Sequence, residues 1–387
     1  MSGASVAVVG GGVIGASVAY HLGVRGVGDV VVLDRGVGPG EGSTGRATGG
    51  FRAQFASAIN VRLSLLALEK LLRFRQEIGA DPGYQAAGYL WLAGSEAELI
   101  ELRAGRVLQQ AEGLHEAVEV DSGEITRLNP ALRLDGVIGG MFCPTDGFIQ
   151  PGRILEGYLA AARRFGVRIE WQTEVTGFTR REDGRIAAVE TSRGPIDADA
   201  VVNAAGAWAA PVARLAGINL PVTPLRRQVA ITTPCDLLPP TMPMTIFAGD
   251  GFHLRVRDGR VMLLQPTPGV PGQPFDIPVD PAWIDAVTET ARRRVPVLQG
   301  ATIDRPGCWA GLYEVSPDKH AILGAAPGCA NLFLINGSSG HGVMHAPALG
   351  QLLAEIICDG SASTLDVTAL RPSRFDEGAP NPVSGLL

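Results

Sequence analysis

The first thirty-five residues constrain this chain more than any other stretch. An apolar run, Val6-Ala7-Val8-Val9, leads into Gly10-Gly11-Gly12-Val13-Ile14-Gly15. A helical stretch to Leu22 follows, then a second apolar run, Val30–Leu33, that ends at Asp34. The order reads as strand, glycine turn, helix, strand and acid. Gly10 permits the tight turn, Gly12 lets a pyrophosphate approach the backbone, and Gly15 lets helix and strand pack closely. The helix start at Val13 and Ile14 offers N–H groups and partial positive charge to phosphates. Asp34 stands nineteen residues beyond Gly15, where an acid can accept hydrogen bonds from an adenosine ribose; Arg35 is its neighbour. Glycine spacing alone is a weak signal, but the complete unit predicts a dinucleotide site. The plain alternative is a glycine turn that packs a helix on a sheet without a ligand.

A chain of 387 residues has room for about two domains and a large core. Its net charge of −6 argues against nucleic acid or an anionic membrane as partner. Of 33 basic residues only Lys70 and Lys319 are lysines, which leaves little choice of lysine base. The five cysteines form no CxxC, and their odd scatter suits a reducing compartment. With no leader-like start and no apolar run of the roughly 18 residues that span a bilayer, the expectation is a cytoplasmic protein. No metal site is expected.

Residues 35–52 carry seven glycines and predict a long loop whose backbone lies against something flat or phosphorylated. Helical periodicity follows over 59–78, 95–113, 121–129 and 152–165, with a strand at Tyr89–Leu92. A strand at 167–171, a hairpin joining Ile186–Thr191 to Ile196–Ala198, and a buried strand over Ala200–Gly206 come next. From Pro221 to Gly307 prolines multiply, and the runs 226–232, 252–256 and 260–265 read as antiparallel strands beside a helix over 281–294. Leu332–Asn336 then reads as a strand, Gly337–Gly342 as a glycine turn, and 343–358 as a helix. The tail after Leu370, rich in Pro, Gly and Ser, is expected to be poorly ordered.

This last unit repeats the logic of the first. Its helix start can stabilise negative charge on a reduced ring, and nicotinamide dehydrogenases have no such return to the nucleotide domain. Taken together, Val8–Gly15, the Gly42–Arg52 loop, Asn203-Ala204-Ala205-Gly206, the run Cys308–His320 and Gly337–Gly342 resemble the D-amino-acid oxidase superfamily of FAD enzymes. The likeness is strongest to the branch with sarcosine oxidases, glycine oxidase and the flavin subunits of proline dehydrogenases. It implies an α/β Rossmann-type FAD-binding domain plus a discontinuous α+β substrate domain with an antiparallel sheet. The expected division is 1–85, 150–220 and 308–370 for the FAD domain, 86–149 and 221–307 for the substrate domain, and 371–387 as a tail.

The resemblance also implies site residues. Gly10, Gly12, Val13, Ile14 and Gly15 would serve the pyrophosphate, with Asp34 and Arg35 at the ribose. Gly42, Ser43, Thr44, Arg46, Ala47, Thr48, Gly49 and Gly50 would form the loop along the cofactor. Val175 would pair with adenine through its backbone, and Ala205, Gly206, Trp208 and Gly311 would complete the cofactor wall. Gly337, Gly340, His341, Gly342, Val343 and Met344 would lie by the flavin. Arg52 would hold a substrate carboxylate, because a guanidinium makes a bidentate pair with one. Met344 stands where relatives have a second cation, a lysine, for which the adjacent His345 is a substitute. Tyr313 would hydrogen-bond the substrate over the flavin, and His253 takes the place of an active-site tyrosine. His320 and His341 are further candidates to face the flavin.

Two departures bear on chemistry. Gly311 occupies the place of a flavin-anchoring cysteine, with Cys308 three residues early, and no histidine anchor stands near Gly147–Gly152, so a non-covalent flavin is expected. The lysine that promotes reaction with O2 in monomeric sarcosine oxidases falls near Leu263 or Leu264, which leaves O2 and an electron-accepting partner subunit both open. The expected reaction is oxidation of a small amino acid or secondary amine (sarcosine-, proline- or glycine-like) to an imine. The alternatives are a 2-hydroxy-acid dehydrogenase with His253 as base, and a flavin subunit inactive alone.

Overall fold

The computed structural model describes residues 5–267 and 275–383. The opening strand Ser5–Val9 lies inside a six-stranded sheet, between Ala200–Asn203 and Asp29–Leu33. Arg168–Glu170 extends the sheet on one side and Cys329–Asn336 on the other, all parallel. The far edge, Ile322–Ala326, pairs antiparallel to Cys329–Asn336. These strands are Val-, Ile- and Leu-rich because a parallel sheet is covered on both faces. One face carries the helices Val13–Val24, Ala58–Ile78, Pro151–Arg164 and Gly342–Asp359. The other is covered by Ala209–Leu215 and a small sheet of Val175–Arg180, Ile186–Thr191 and Ile196–Asp197.

Helix Val13–Val24 has no polar face, since it is enclosed by Gly342–Asp359 and Pro151–Arg164. A Cβ on Gly350 would lie 2.2 Å from the Ser17 hydroxyl, which donates to the Ala346 carbonyl at 2.8 Å. Small residues at this crossing therefore bring the first and last glycine turns side by side at the same end of the sheet.

The second sheet has eight strands, in the order Trp309–Val315, Thr223–Ile231, Arg260–Leu264, His253–Arg257, Met244–Phe247, Tyr89–Ala93, Gly139–Cys143 and Val118–Val120. All neighbours are antiparallel except Met244–Phe247 with Tyr89–Ala93. The strand Trp309–Val315 pairs with Thr223–Ile231 from end to end, so this sheet runs past the expected boundary at 307.

The structure adds strands that the sequence did not announce, and it corrects two expectations. The strands Met244–Phe247 and Ile322–Ala326 carry no alternation that announces them. The 35–52 loop contains a helical turn at Ser43–Arg46. The tail is packed through residue 383: Arg374 is fully buried, and its Nε and Nη2 donate to Asp318 at 2.8 and 3.0 Å. Residues 384–387 of the expected tail lie outside the described residues. Among the described residues no helix is long and apolar enough to cross a membrane.

Candidate active site

One cavity of about 940 Å³ runs from the first glycine turn, under the 35–52 loop, to the last glycine turn. At the first end Gly10 has φ +111°, and a Cβ there would sit 2.3 Å from the Ala204 carbonyl oxygen. Gly15 faces away from the cavity; its Cβ would lie 1.9 Å from the Gly10 carbonyl oxygen, so it serves packing rather than the lining. Gly11, Gly12, Val13 and Ile14 line the cavity, and the helix start carries neither a side-chain cap on its N-cap nor an acidic first turn. Its dipole and amides are directed at whatever occupies that space. Asp34 accepts from the Gly11 and Gly36 amides, both at 2.7 Å, one on each carboxylate oxygen. The carboxylate thus braces the turn and retains lone pairs for a further donor. Arg35 lies over Trp208 at 4.3 Å, and Trp208 stacks on Phe275, giving this end an aromatic wall near Val175.

The loop is pinned with its backbone along the cavity. Thr44 Oγ1 accepts from the Val13 amide at 3.2 Å, and the Ser43 hydroxyl donates to the Leu312 carbonyl at 2.7 Å. Trp309 Nε1 donates to the Arg46 carbonyl at 2.9 Å. Arg255 donates to the Thr48 and Gly49 carbonyls at 2.8 and 3.0 Å, and Arg257 to the Ala47 carbonyl at 3.3 Å. Arg255 also lies 3.6 Å over the Phe148 ring. These two arginines escaped the sequence reading; the signal was the alternation His253, Arg255, Arg257 on one strand face.

That same face roofs the other end of the cavity. Tyr89 with Met244, Trp91 with Ile246, and His253 with Leu264 are register partners that line it, joined by Arg227 and Tyr313 from the two strands at one edge of the eight-stranded sheet. Arg52 projects from beneath. Its Nη1 donates to the Gln54 carbonyl and its Nη2 to His341 Nε2 at 3.2 Å. The guanidinium lies 3.9 Å from the Phe55 ring centroid and 5.4 Å from that of Trp91. Burial lowers its pKa to about 10, so it stays a cation at neutral pH. Behind it Asp146 is buried and accepts from the Ala53 amide at 2.7 Å and Gln54 Nε2 at 3.1 Å. Burial outweighs those bonds and Arg52, and pushes the Asp146 carboxyl up to about 7.

Most of the expected residues gather here. Arg52, Tyr313, His253, His341 and Met344 line the cavity. Tyr313 is 37% exposed, opening into the cavity, and its ring lies against Gly340, where a Cβ would meet it at 2.4 Å. His253 Nδ1 is 2.8 Å from the Gly251 carbonyl, which assigns the proton to Nδ1 and leaves Nε2 as an acceptor. Burial, with Arg52 and Arg227, lowers its pKa.

Besides Gly15, three candidates do not belong to the lining. His345 turns to the helix Ala58–Ile78, where its Nε2 is 2.8 Å from the Ser64 hydroxyl. One step along a helix rotates a side chain by about 100°, so with Met344 in the cavity His345 is not a substitute for a missing lysine. His320 is held between the Asp318 carbonyl and the Ser57 hydroxyl, at 2.6 Å to each. Gly337 faces Ser316 and Ile322 behind the wall. Conversely, Arg227, Lys319 and Glu314 line the cavity without having been singled out for it. Glu314 is buried with one carboxylate oxygen unpartnered, and burial pushes its pKa up to about 7.

The residues present fit a long flavin dinucleotide. The glycine cradle is free of Cβ atoms, the first turn of the helix carries no acidic residue, and the cavity continues past the pinned loop to a second glycine turn. Fold and site together define an FAD-dependent oxidoreductase. The chain belongs to the DAO family, FAD-dependent oxidoreductases, whose family pattern matches residues 5–356. It is 29% identical over 391 residues to the mitochondrial dimethylglycine dehydrogenase of Rattus norvegicus, covering 96% of this chain and 45% of that protein. It therefore spans less than half of that relative's length. It is 29% identical over 361 residues to the glycine oxidase of Geobacillus kaustophilus, covering 91% of this chain and 92% of that protein. Among solved structures, L-proline dehydrogenase from P. horikoshii superposes with a TM-score of 0.89 at 28% identity, covering 98% of this chain and all of that one.

Proposed function

We propose that the chain binds FAD non-covalently and oxidises a small amino acid or secondary amine to an imine, which then hydrolyses. The observation that carries this reading is Arg52: a buried guanidinium, fixed by Gln54 and His341, that lines the cavity with Tyr313 and His253. Relatives named for dimethylglycine, glycine and L-proline support the amine class. No cysteine lines the cavity among the described residues, which supports a non-covalent cofactor.

Bound FAD would supply the two-electron acceptor. The chain's residues do the rest. Arg52 pairs with the substrate carboxylate and fixes which carbon faces the acceptor. Trp91, Ile246, Leu264 and Met344 keep the reacting carbon among apolar groups and exclude water. Arg52 and Arg227 together disfavour a third cation, so the bound amine loses its proton and exposes a lone pair. His253, neutral and with Nε2 free to accept, can take the hydrogen bond of the amine N–H. Its lowered basicity makes it a poor base for a hydroxyl group, which weighs against a 2-hydroxy acid.

Product analysis tests this reading. Incubation with an N-methyl amino acid and an artificial electron acceptor should release formaldehyde and the demethylated amino acid in equal amounts. A cyclic imino acid should give an imine that o-aminobenzaldehyde traps. Turnover of 2-hydroxy acids alone, with no amine consumed, would overturn it. Comparing air with the artificial acceptor separates O2 from a partner as the physiological acceptor.

A further inference from the structure

We infer that the cavity recognises a substrate with two anionic groups, the second carboxylate being held by Arg227. This deepens the reading of Arg52 as a carboxylate anchor and rests on it. The substrate class is then an amino or imino dicarboxylic acid, in which an oxidisable C–N bond lies between or beside two carboxylates.

Arg227 projects from Thr223–Ile231 on the face that roofs the cavity, in register with Gly311 and two residues from Leu225, the partner of Tyr313. It is half-buried, and burial lowers its pKa, a sign that its charge is held at a cost. Nη1 donates to the Thr267 carbonyl at 2.7 Å, and the guanidinium lies 5.8 Å from the Tyr313 ring centroid. Among the described residues it makes no ion pair, and Tyr313 favours its charged form. Arg52 differs, because Asp146 lies behind it. Arg255 and Arg257, on the same roof, are committed to the loop carbonyls.

Among the described residues Arg227 is therefore a cavity cation with no ion-pair partner and with donors left over. Arg52, Arg227, His253 and Tyr313 line one cavity, with Arg227 5.8 Å from the Tyr313 ring centroid, and both guanidinium charges act on His253 and Tyr313. A substrate held there would have one guanidinium available for each of two carboxylates. The diphosphate of the cofactor does not explain Arg227, since the phosphate cradle is at the other glycine turn.

The experiment uses the FAD-loaded protein and reads the shift of the flavin absorption bands on titration with carboxylates. The probes are acetate and propionate against malonate, succinate and glutarate. One dicarboxylate length should bind about 10- to 100-fold tighter than the monocarboxylates, the return expected from one further charge-assisted pair. R227Q should abolish that advantage, weakening the preferred dicarboxylate about 10-fold or more beyond any loss for the monocarboxylates. R52Q should weaken both classes. Equal affinity for mono- and dicarboxylates in the unsubstituted protein would overturn the proposal, as would an equal loss for both classes in R227Q. Loss of FAD from R227Q would reassign Arg227 to the cofactor. If no carboxylate shifts the spectrum at all, the Arg52 reading itself fails, an outcome distinct from failure of the Arg227 proposal.

Discussion

Replacing Arg374 with Met should destabilise the protein far more than a substitution near a C-terminus normally does. Asp318 accepts from Arg374 Nε and Nη2 at 2.8 and 3.0 Å and from the amide and Nδ2 of Asn381, both at 3.0 Å. The Ser316 hydroxyl and His320 amide add bonds at 3.2 Å. Both charged side chains are completely inaccessible. Arg374→Met would leave a buried carboxylate without its counterion, at about 3–5 kcal/mol. For a chain of this length the unfolding entropy converts that to about 4–6 °C in Tm. Burial raises the Asp318 pKa, but Arg374 and Asn381 pull it further the other way, to well below the carboxylate range. A depressed carboxylate contributes stability that is present above its unfolded pKa and lost as pH falls through the folded one. The difference between variant and parent should thus be full at pH 7 and close below about pH 4. Thermal melts across that range measure it. Asp318→Asn combined with Arg374→Met should recover part of the loss, since the stranded charge is gone. A change under about 1 kcal/mol, typical of an exposed pair, would refute the docked tail.

Three further outcomes follow from the site. Arg52→Gln should raise the apparent constant for a monocarboxylate inhibitor about 10- to 100-fold with FAD retained; an unchanged constant would make Arg52 structural. Asp146, neutral below about pH 7, becomes an anion above it and competes for Arg52. Carboxylate binding should therefore weaken as pH rises through about 7, and Asp146→Asn should flatten that profile; a persisting inflection would assign it to Glu314 or the ligand. Gly10→Ala puts a Cβ within 2.3 Å of a carbonyl oxygen at φ +111°, so the purified protein should carry little flavin relative to protein absorbance. Full flavin content would refute the cradle geometry.

The two glycine turns were legible because the chemistry is local. A strand, a turn that only glycine fills, and a helix start are contiguous in both places, and almost every cofactor position proposed from them lines the cavity. The substrate end was less legible because it is assembled by sheet register. Arg227, His253 and Trp91 come from three strands that are neither consecutive nor adjacent, and only pairing across the sheet puts them on one face. His345 was misread because a helix turns its side chain toward Ser64 while the preceding Met344 faces the cavity. The tail was misread because its composition is that of a loop, whereas a single arginine closing on Asp318 decides its place.

The most direct test is an anaerobic visible spectrum of the flavin-loaded protein titrated with matched compounds: an amino acid, the same molecule with its amine replaced by hydroxyl, and the same amine without its carboxylate. The amino acid, tried as N-methyl, cyclic and dicarboxylic forms, should bleach the flavin band. The hydroxy acid should only shift the band, and the amine without a carboxylate should leave it nearly unchanged. Bleaching by the hydroxy acid alone, or equal bleaching by the amine without its carboxylate, would contradict oxidation of an amine anchored by its carboxylate.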